Sequence, residues 1–306
     1  MSSRLSHNIK SEAARLGFFA CGIAKAEPVD DNTATKLRQW LANGGNADMA
    51  YLSNYTEKRL NPSLLMEGVK SIVCLALGYT PARHIPKDEY QIAAYAYGKD
   101  YHDIMKQKLH QLAQAVGLQN YRAFCDTAPV LERYWAVKAG LGWIGRNHQL
   151  IIPHAGSMFF LGELFCNVAL SYDSPMPDHC GTCHKCLDAC PTKALSGNSF
   201  DAARCLSYQT IENRGDIPQG IAEKMGTFIY GCDRCQTACP WNRFATPTTE
   251  PDLQPKEELL AMTREKWQQL TEDEYRQLFK GSAVKRAKYS GLMRNIRTAK
   301  NNEKQN

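Results

Sequence analysis

The chain has 306 residues, enough for one large or two modest domains with a buried core, so no disulfide scaffold is needed to hold it. Its 37 Lys and Arg stand against 31 Asp and Glu, a net +6 that by itself says little about partners. No apolar signal region follows the first residues and no run of about 18 apolar residues occurs, which argues against secretion and a membrane span and for the reducing cytoplasm.

In chain order, residues 8–16 read as an amphipathic helix and residues 17–24 as a buried strand. A second helix is expected over 35–43, stopped by Gly44-Gly45. The aromatic, polar stretch 49–62 suits a surface or a pocket wall. Residues 70–79 are strongly apolar and read as a central strand. A loop covers 81–86 and a candidate strand 91–97. Asp103 is placed to cap a helix with Met105, Leu109, Leu112, Ala113 and Val116 on its apolar face, closed by Gly117. A short strand over 121–125 leads to Asp126, then a helix over 130–139, a glycine-rich turn over 140–147 and strands over 150–152 and 157–170, the last apolar enough to lie mid-sheet. This alternation predicts an α+β domain, α/β-like in order with a mixed sheet, over residues 1–172. Two prolines in 172–178 mark a linker. A similar break at 247–255 precedes helical segments at 257–262, 264–270, 272–279 and 283–298, with Thr263 and Thr271 as starts.

Between those breaks lies the densest chemistry. The run Cys180-Gly-Thr-Cys183-His-Lys-Cys186-Leu-Asp-Ala-Cys190-Pro191 has the C-x2-C-x2-C-x3-C-P spacing of bacterial ferredoxins. Cys232-Asp-Arg-Cys235-Gln-Thr-Ala-Cys239-Pro240 repeats its last part, with Cys205 between. Eight thiolates suffice for two [4Fe-4S] clusters. Structural zinc is the rival, but the final Cys-Pro pairs, the count of eight and the lack of spaced histidines argue against it. In two-cluster ferredoxins the fourth Cys of one run serves the other cluster. That rule assigns Cys180, Cys183, Cys186 and Cys239 to one cluster and Cys190, Cys205, Cys232 and Cys235 to the other, Cys205 having the weakest claim. Cys21, Cys74, Cys125 and Cys166 lie in apolar runs and read as packing.

Asp126 sits at a strand end beside Phe124 and Ala128, where a carboxyl can have a raised pKa and donate a proton; the plainer reading is a helix cap. The glycines of 140–145 only superficially resemble a dinucleotide fingerprint, because they follow a helix and precede a strand. Asp100-Tyr-His102 fails as a corrinoid D-x-H-x-x-G because position 105 is Met. Tyr97, Tyr101, His102, His148 and His154 stay ambiguous. From Lys280 on, Lys280, Lys285, Arg286, Lys288, Arg294, Arg297, Lys300 and Lys304 stand against Glu303 alone. RNA is one reader of such a segment, and a solvated tail is the other interpretation.

Four segments together resemble epoxyqueuosine reductase, the cobalamin-dependent iron–sulfur family of tRNA queuosine synthesis. They are Asp126-Thr-Ala-Pro-Val-Leu-Glu132-Arg133, Ala139-Gly-Leu-Gly-Trp-Ile-Gly-Arg-Asn147, Tyr97-Gly-Lys-Asp-Tyr-His102 and Tyr230-Gly-Cys-Asp-Arg-Cys-Gln-Thr-Ala-Cys-Pro240. The resemblance runs from about Gly17 to Arg297. It implies a cobalamin-binding domain over 1–172, a ferredoxin-type domain with two [4Fe-4S] clusters over 173–246 and a helical basic segment against tRNA over 247–306. It implies base-off cob(II)alamin, bound without the missing histidine, and Asp126 as proton donor. Arg59, Asn147, Leu150, Leu161, Ser207, Asp233 and Arg234 fall at its corrinoid contacts. It further implies deoxygenation of epoxyqueuosine at the wobble position of tRNA, an unidentified low-potential electron donor and a cytoplasmic monomer. The chain departs from many members at Ala93-Ala-Tyr-Ala-Tyr97, which lacks their arginine. It also stops before their C-terminal helical repeats, which implies a smaller grip on tRNA. A corrinoid reductive dehalogenase and a plain electron-transfer ferredoxin are the alternatives. The first usually carries an export signal, and the second leaves the N-terminal half unexplained.

Overall fold

The computed structural model describes residues 2–197 and 199–303. Helix α1 (Ser2–Arg15) leads into strand β1 (Ala20–Lys25), and Asp30 caps α2 (Asp31–Ala42) by accepting from Thr33 N. A short α3 (Thr56–Leu60) interrupts the irregular stretch before β2 (Ser71–Gly78), whose apolar run is buried on both faces. Of the strand expected over 91–97 only β3 (Gln91–Ile92) forms, followed by a single tight turn of helix. Helix α4 (Tyr101–Ala115) begins earlier than expected. Its cap is Asp100, not Asp103, and Met105, Leu109, Leu112 and Ala113 are fully buried.

Then come β4 (Tyr121–Phe124), α5 (Glu132–Lys138), the small hairpin β5 (Trp143–Ile144) and β6 (Leu150–Ile151), and the long β7 (Phe159–Cys166). Four strands join in the order β1-β2-β7-β4. The class is α+β as expected, but this sheet is antiparallel throughout rather than mixed. The β2–α4–β4 sequence looks like a parallel crossover unit. Strand β7 inserts between β2 and β4, so each meets an antiparallel neighbour. Helices α1 and α4 cover one face and α5 the other. Two glycines make that possible. A Cβ on Gly22 would lie 2.0 Å from the Ala139 carbonyl oxygen at the end of α5, and one on Gly162 2.6 Å from the Met105 methyl on α4.

The cysteine-rich part carries α6 (Lys185–Asp188), the hairpin strands β8 (Leu195–Ser196) and β9 (Ser199–Phe200), then α7 (Leu206–Ile211), α8 (Gln219–Ala222), β10 (Phe228–Tyr230) and α9 (Arg234–Thr237). The stretch before it is anchored. Asp173 pairs with Lys10 at 2.6 Å and accepts from Ile23 N at 2.9 Å.

Four helices follow: α10 (Glu257–Leu260), α11 (Arg264–Gln269), α12 (Glu272–Leu278) and α13 (Lys288–Glu303). Thr263 and Thr271 cap α11 and α12 as their sequence suggests, Thr271 in a full capping box with Glu274. These helices share one core with Tyr90, Ile92, Leu206 and Tyr230. Leu292 and Ile296 are fully buried, worth about 1.5–3 kcal/mol each. Asn295 donates to Thr210 O and Ile229 O at 2.8 Å, and Arg294 donates to Gln209 O at 2.7 Å. The solvated-tail reading therefore does not hold through residue 303, and Lys304 lies outside the described residues.

Candidate active site

The two cysteine runs form two quartets. Cys180, Cys183, Cys186 and Cys239 line one cavity of 330 Å³. Arg146, His154, His179 and Trp241 share its wall. Trp143, buried under Trp241, donates its indole N–H to Cys180 Sγ at 3.4 Å. In the second quartet Cys190, Cys205 and Cys235 share one apolar cluster, and Cys232 and Cys235 line a second cavity. Cys205, the residue before α7, joins that apolar cluster and not the cavity wall. Burial raises the Cys239 and Cys235 thiols. Their own quartets add to it, through Cys180 and Cys183 for the first and Cys232, Cys205 and Cys190 for the second. The fold thus places Cys239 beside Cys180, Cys183 and Cys186, and packs Cys190 with Cys205 and Cys235. Four convergent thiols, with apolar walls and no competing carboxylate on the first cavity, suit a thiolate-held iron–sulfur cluster.

The second cavity, of 260 Å³, lies where the sheet, α4, α5 and the cysteine domain meet. Leu150, Leu161, Ser207 and Asp233 line it together with Asp126. Three other expected residues are not on its wall. Asn147 faces the first quartet's cavity, with its Nδ2 buried and unpartnered. Arg59, on α3, donates to Tyr51 O at 3.3 Å while its buried Nε lacks a partner. Arg234 turns away, donating to Lys224 O at 3.0 Å and Met225 O at 3.1 Å. Asp233 accepts from Ala94 N at 2.7 Å, and burial pushes its pKa up to about 6. Leu150, Phe159, Phe160 and Leu161 offer apolar contact for the flat ring of a corrinoid, and Gln149, Ser207 and Gln236 offer polar groups for its amides.

Asp126 occupies the left-handed region at φ 55°, a conformation that costs about 1–3 kcal/mol for a residue with a Cβ. It caps no helix, because α5 starts six residues later behind Leu131, which makes no side-chain cap. Three groups hold it. Tyr101 donates its hydroxyl to Oδ2 at 2.5 Å, His102 Nε2 stands 3.5 Å from the same oxygen, and the backbone N of Asp126 donates to Glu132 Oε1. Tyr101 stacks flat on Phe160 at 4.1 Å, and His102 is oriented by Asp100 Oδ1 at 2.6 Å from its Nδ1.

Electrostatics reverse one expectation. The Asp126 carboxyl lies below its usual pKa, not above it, chiefly because His102 bonds to it, against the opposing effect of desolvation. Burial works against the imidazolium, yet the carboxylates of Asp100 and Asp126 outweigh it and raise His102 to about 9. The acid held near neutrality is Glu132, pushed up to about 8 by burial and then by Asp126. Beneath it lies Glu163 on β7, fully buried, both oxygens without a partner and its pKa far up through burial.

Sequence reasoning left Tyr101 and His102 ambiguous and did not single out Glu132, on the cavity wall, or the buried Glu163. The one signal for Glu163 was a lone acid inside the apolar Phe-Phe-Leu-Gly-Glu-Leu-Phe-Cys run.

Two thiol quartets, one of them sharing a cavity with a strained carboxylate, define a redox protein of the double iron–sulfur cluster class. Residues 179–242 match the family model described as a 4Fe-4S double cluster binding domain, and residues 59–127 match that described as epoxyqueuosine reductase QueG, DUF1730. The chain is 45% identical over 303 residues to the epoxyqueuosine reductase of Cellulophaga algicola, covering 97% of this chain and 99% of that one. A crystal structure of epoxyqueuosine reductase with a tRNA-Tyr epoxyqueuosine-modified stem loop superposes with a TM-score of 0.88 at 29% identity, over 97% of this chain and 80% of that chain. The Bacillus subtilis enzyme, solved with its catalytic aspartate loop swung out of the active site, gives 0.87 at 28% identity, over 97% and 81%. The chain belongs to the epoxyqueuosine reductase family.

Proposed function

We propose that this protein reduces the epoxide of epoxyqueuosine in tRNA to the alkene of queuosine. The observation that carries the reading is the shared cavity, with Asp126 on one side and Cys232 and Cys235 on the other. When bound, cobalamin supplies reducing chemistry at a single metal centre for opening the strained ring, and two [4Fe-4S] clusters supply electrons one at a time. Leu150, Leu161, Ser207 and Asp233 would hold the corrinoid, while Arg59 and Asn147 lie off this wall. Arg234 braces the cluster loop instead.

Asp126 carries a proton to the departing oxygen. Tyr101 fixes the carboxylate, and His102, charged below about 9, replaces the proton it gives up. Apart from Arg286, tied to Glu212 at 2.8 Å, and Arg294, the exposed Lys285, Lys288 and Arg297 form a basic face for the tRNA backbone. No helix among the described residues is long and apolar enough to cross a membrane, and we place the protein in the cytoplasm as a monomer drawing on a separate low-potential donor.

The test is turnover of a stem loop carrying epoxyqueuosine by protein reconstituted with iron, sulfide and cobalamin, followed by nucleoside mass spectrometry. Queuosine should form, and its absence with both cofactors loaded sinks the reading. Asp126→Asn should keep iron and cobalamin and lose about 10²–10⁴-fold in single-turnover rate. Replacing Lys285, Lys288 and Arg297 by Gln should weaken tRNA binding and flatten its salt dependence, by about 0.7 in log–log slope for each phosphate no longer neutralised. An unchanged slope moves the tRNA to another face.

A further inference from the structure

The reaction proposed above consumes two protons, and His102 accounts for the replacement of only one. On the opposite side of Asp126 stand two acids with no assigned part. Glu163 points from the middle of β7 toward α5, opposite Cys74 of β2 and Phe124 of β4, among Phe165, Trp135 and Ala136. It is fully buried, and neither carboxyl oxygen has a hydrogen-bond partner. An ionised carboxylate in such a place costs several kcal/mol, so the group stands as the neutral acid. An unpartnered O–H there is a proton with no structural use.

Glu132 opens α5, lines the cavity and accepts from the backbone N of Asp126. The charged groups facing it are Asp126 from the loop after β4, its neighbour Arg133, His102 from α4 and Arg59 from α3. Those facing Glu163 are Glu132 and Asp126, with the buried thiols Cys74 and Cys125. Glu132 touches Asp126 through the backbone N, while Glu163 beneath acts on both by charge alone.

We propose that Glu132, backed by Glu163, is a second acid of this site, returning a proton to the Asp126 carboxylate after its first donation. A His102 N–H breaks as an Asp126 O–H forms, and Asp126 passes that proton to the departing oxygen and is again a carboxylate. The Glu132 O–H then breaks as an Asp126 O–H forms, and Asp126 converts the released hydroxide to water. Glu163, neutral and out of hydrogen-bond reach, puts no second negative charge beneath Glu132, and solvent in the cavity returns the Glu132 proton between turnovers. The two electrons come from the clusters, so two electrons and two protons leave as the alkene and one water. Glu132 and Glu163 act through Asp126 and are positioning residues for its proton.

The inference rests on the proposed deoxygenation, and the two can fail separately. Difference infrared spectroscopy of the protein at neutral pH reads the carbonyl stretch of a protonated carboxyl without any turnover. Two such bands should be present in the native protein, one lost in Glu163→Gln and the other in Glu132→Gln, with both kept in Asp126→Asn. A spectrum unchanged by Glu163→Gln overturns the proposal. In single turnover with the holoenzyme, Glu132→Gln keeps an acceptor for the Asp126 N–H, so iron, cobalamin and tRNA binding should stay as they are while the rate falls about 10²-fold. Both His102 and Glu132 must be protonated, so the native rate should fall with two-proton steepness at alkaline pH and the Glu132→Gln rate with one-proton steepness. Equal steepness in the two proteins overturns the proposal even if both are active. Should the native protein leave epoxyqueuosine intact, the proposed function fails, while the infrared result still decides whether Glu163 carries a proton.

Discussion

The two cysteine quartets come from one repeated motif, each with a short helix and a closing Cys-Pro, yet they sit in opposite surroundings. The first faces a cavity walled by Trp241, His179, His154 and Arg146, and none of its thiols touches the pocket of Asp126. The second presents Cys232 and Cys235 to that pocket, and its other members lie against Ala194, Leu195 and Phe200. The motif sets what each quartet holds, and the neighbouring domain sets what each one serves. We propose that the first quartet receives electrons from the donor and the second delivers them to the pocket of Asp126.

The sharpest test is to break the second quartet. Cys235→Ser should cost about half the iron, since one cluster of two is lost, and all turnover with any reductant. Retained turnover would mean that electrons reach the pocket by another route. Next in size is Cys183→Ser, which should cost the same iron and stop turnover with a protein donor. A small chemical reductant should restore part of it, because the inner quartet is intact. If both variants respond alike to the chemical reductant, the division between receiving and delivering quartets falls.

How much of this was legible depended on how local the signal is. The quartets follow from spacing, because thiolate ligation of a cluster fixes short intervals in the chain. Strands β2 and β7 followed from apolar runs, and the start of α12 from Thr271 and Glu274. The antiparallel sheet did not, since its sense depends on β7 returning from far along the chain to separate β2 and β4. Nor did the state of Asp126. Tyr101 and His102 lie some way back in sequence and reach it only because α4 begins beside the β4 loop, so a carboxyl that looks isolated in its own segment is in fact ion-paired. Glu163 looks in sequence like any acid in a strand, and only its burial among apolar neighbours sets it apart.

The smallest expected effect is the most selective. Trp143 gives its N–H to Cys180 Sγ, the atom that would bond iron, and no corresponding indole reaches the second quartet's thiols among the described residues. A hydrogen bond to a ligating sulfur stabilises the reduced, more negative cluster and raises its potential. Trp143→Phe keeps the aromatic packing against Trp241 and His179, 5.0 and 5.1 Å away, and removes only the donor. One such bond is worth about 1 kcal/mol, so the first cluster should shift down by on the order of tens of millivolts. A redox titration followed by electron paramagnetic resonance should show one cluster moving and the other fixed. Turnover should change less than about twofold with a strong reductant, because one bond to a relay cluster alters driving force and not the chemistry at Asp126. Two clusters moving together would show that the quartets share one electrostatic environment, and the contrast between them would then lie in position alone.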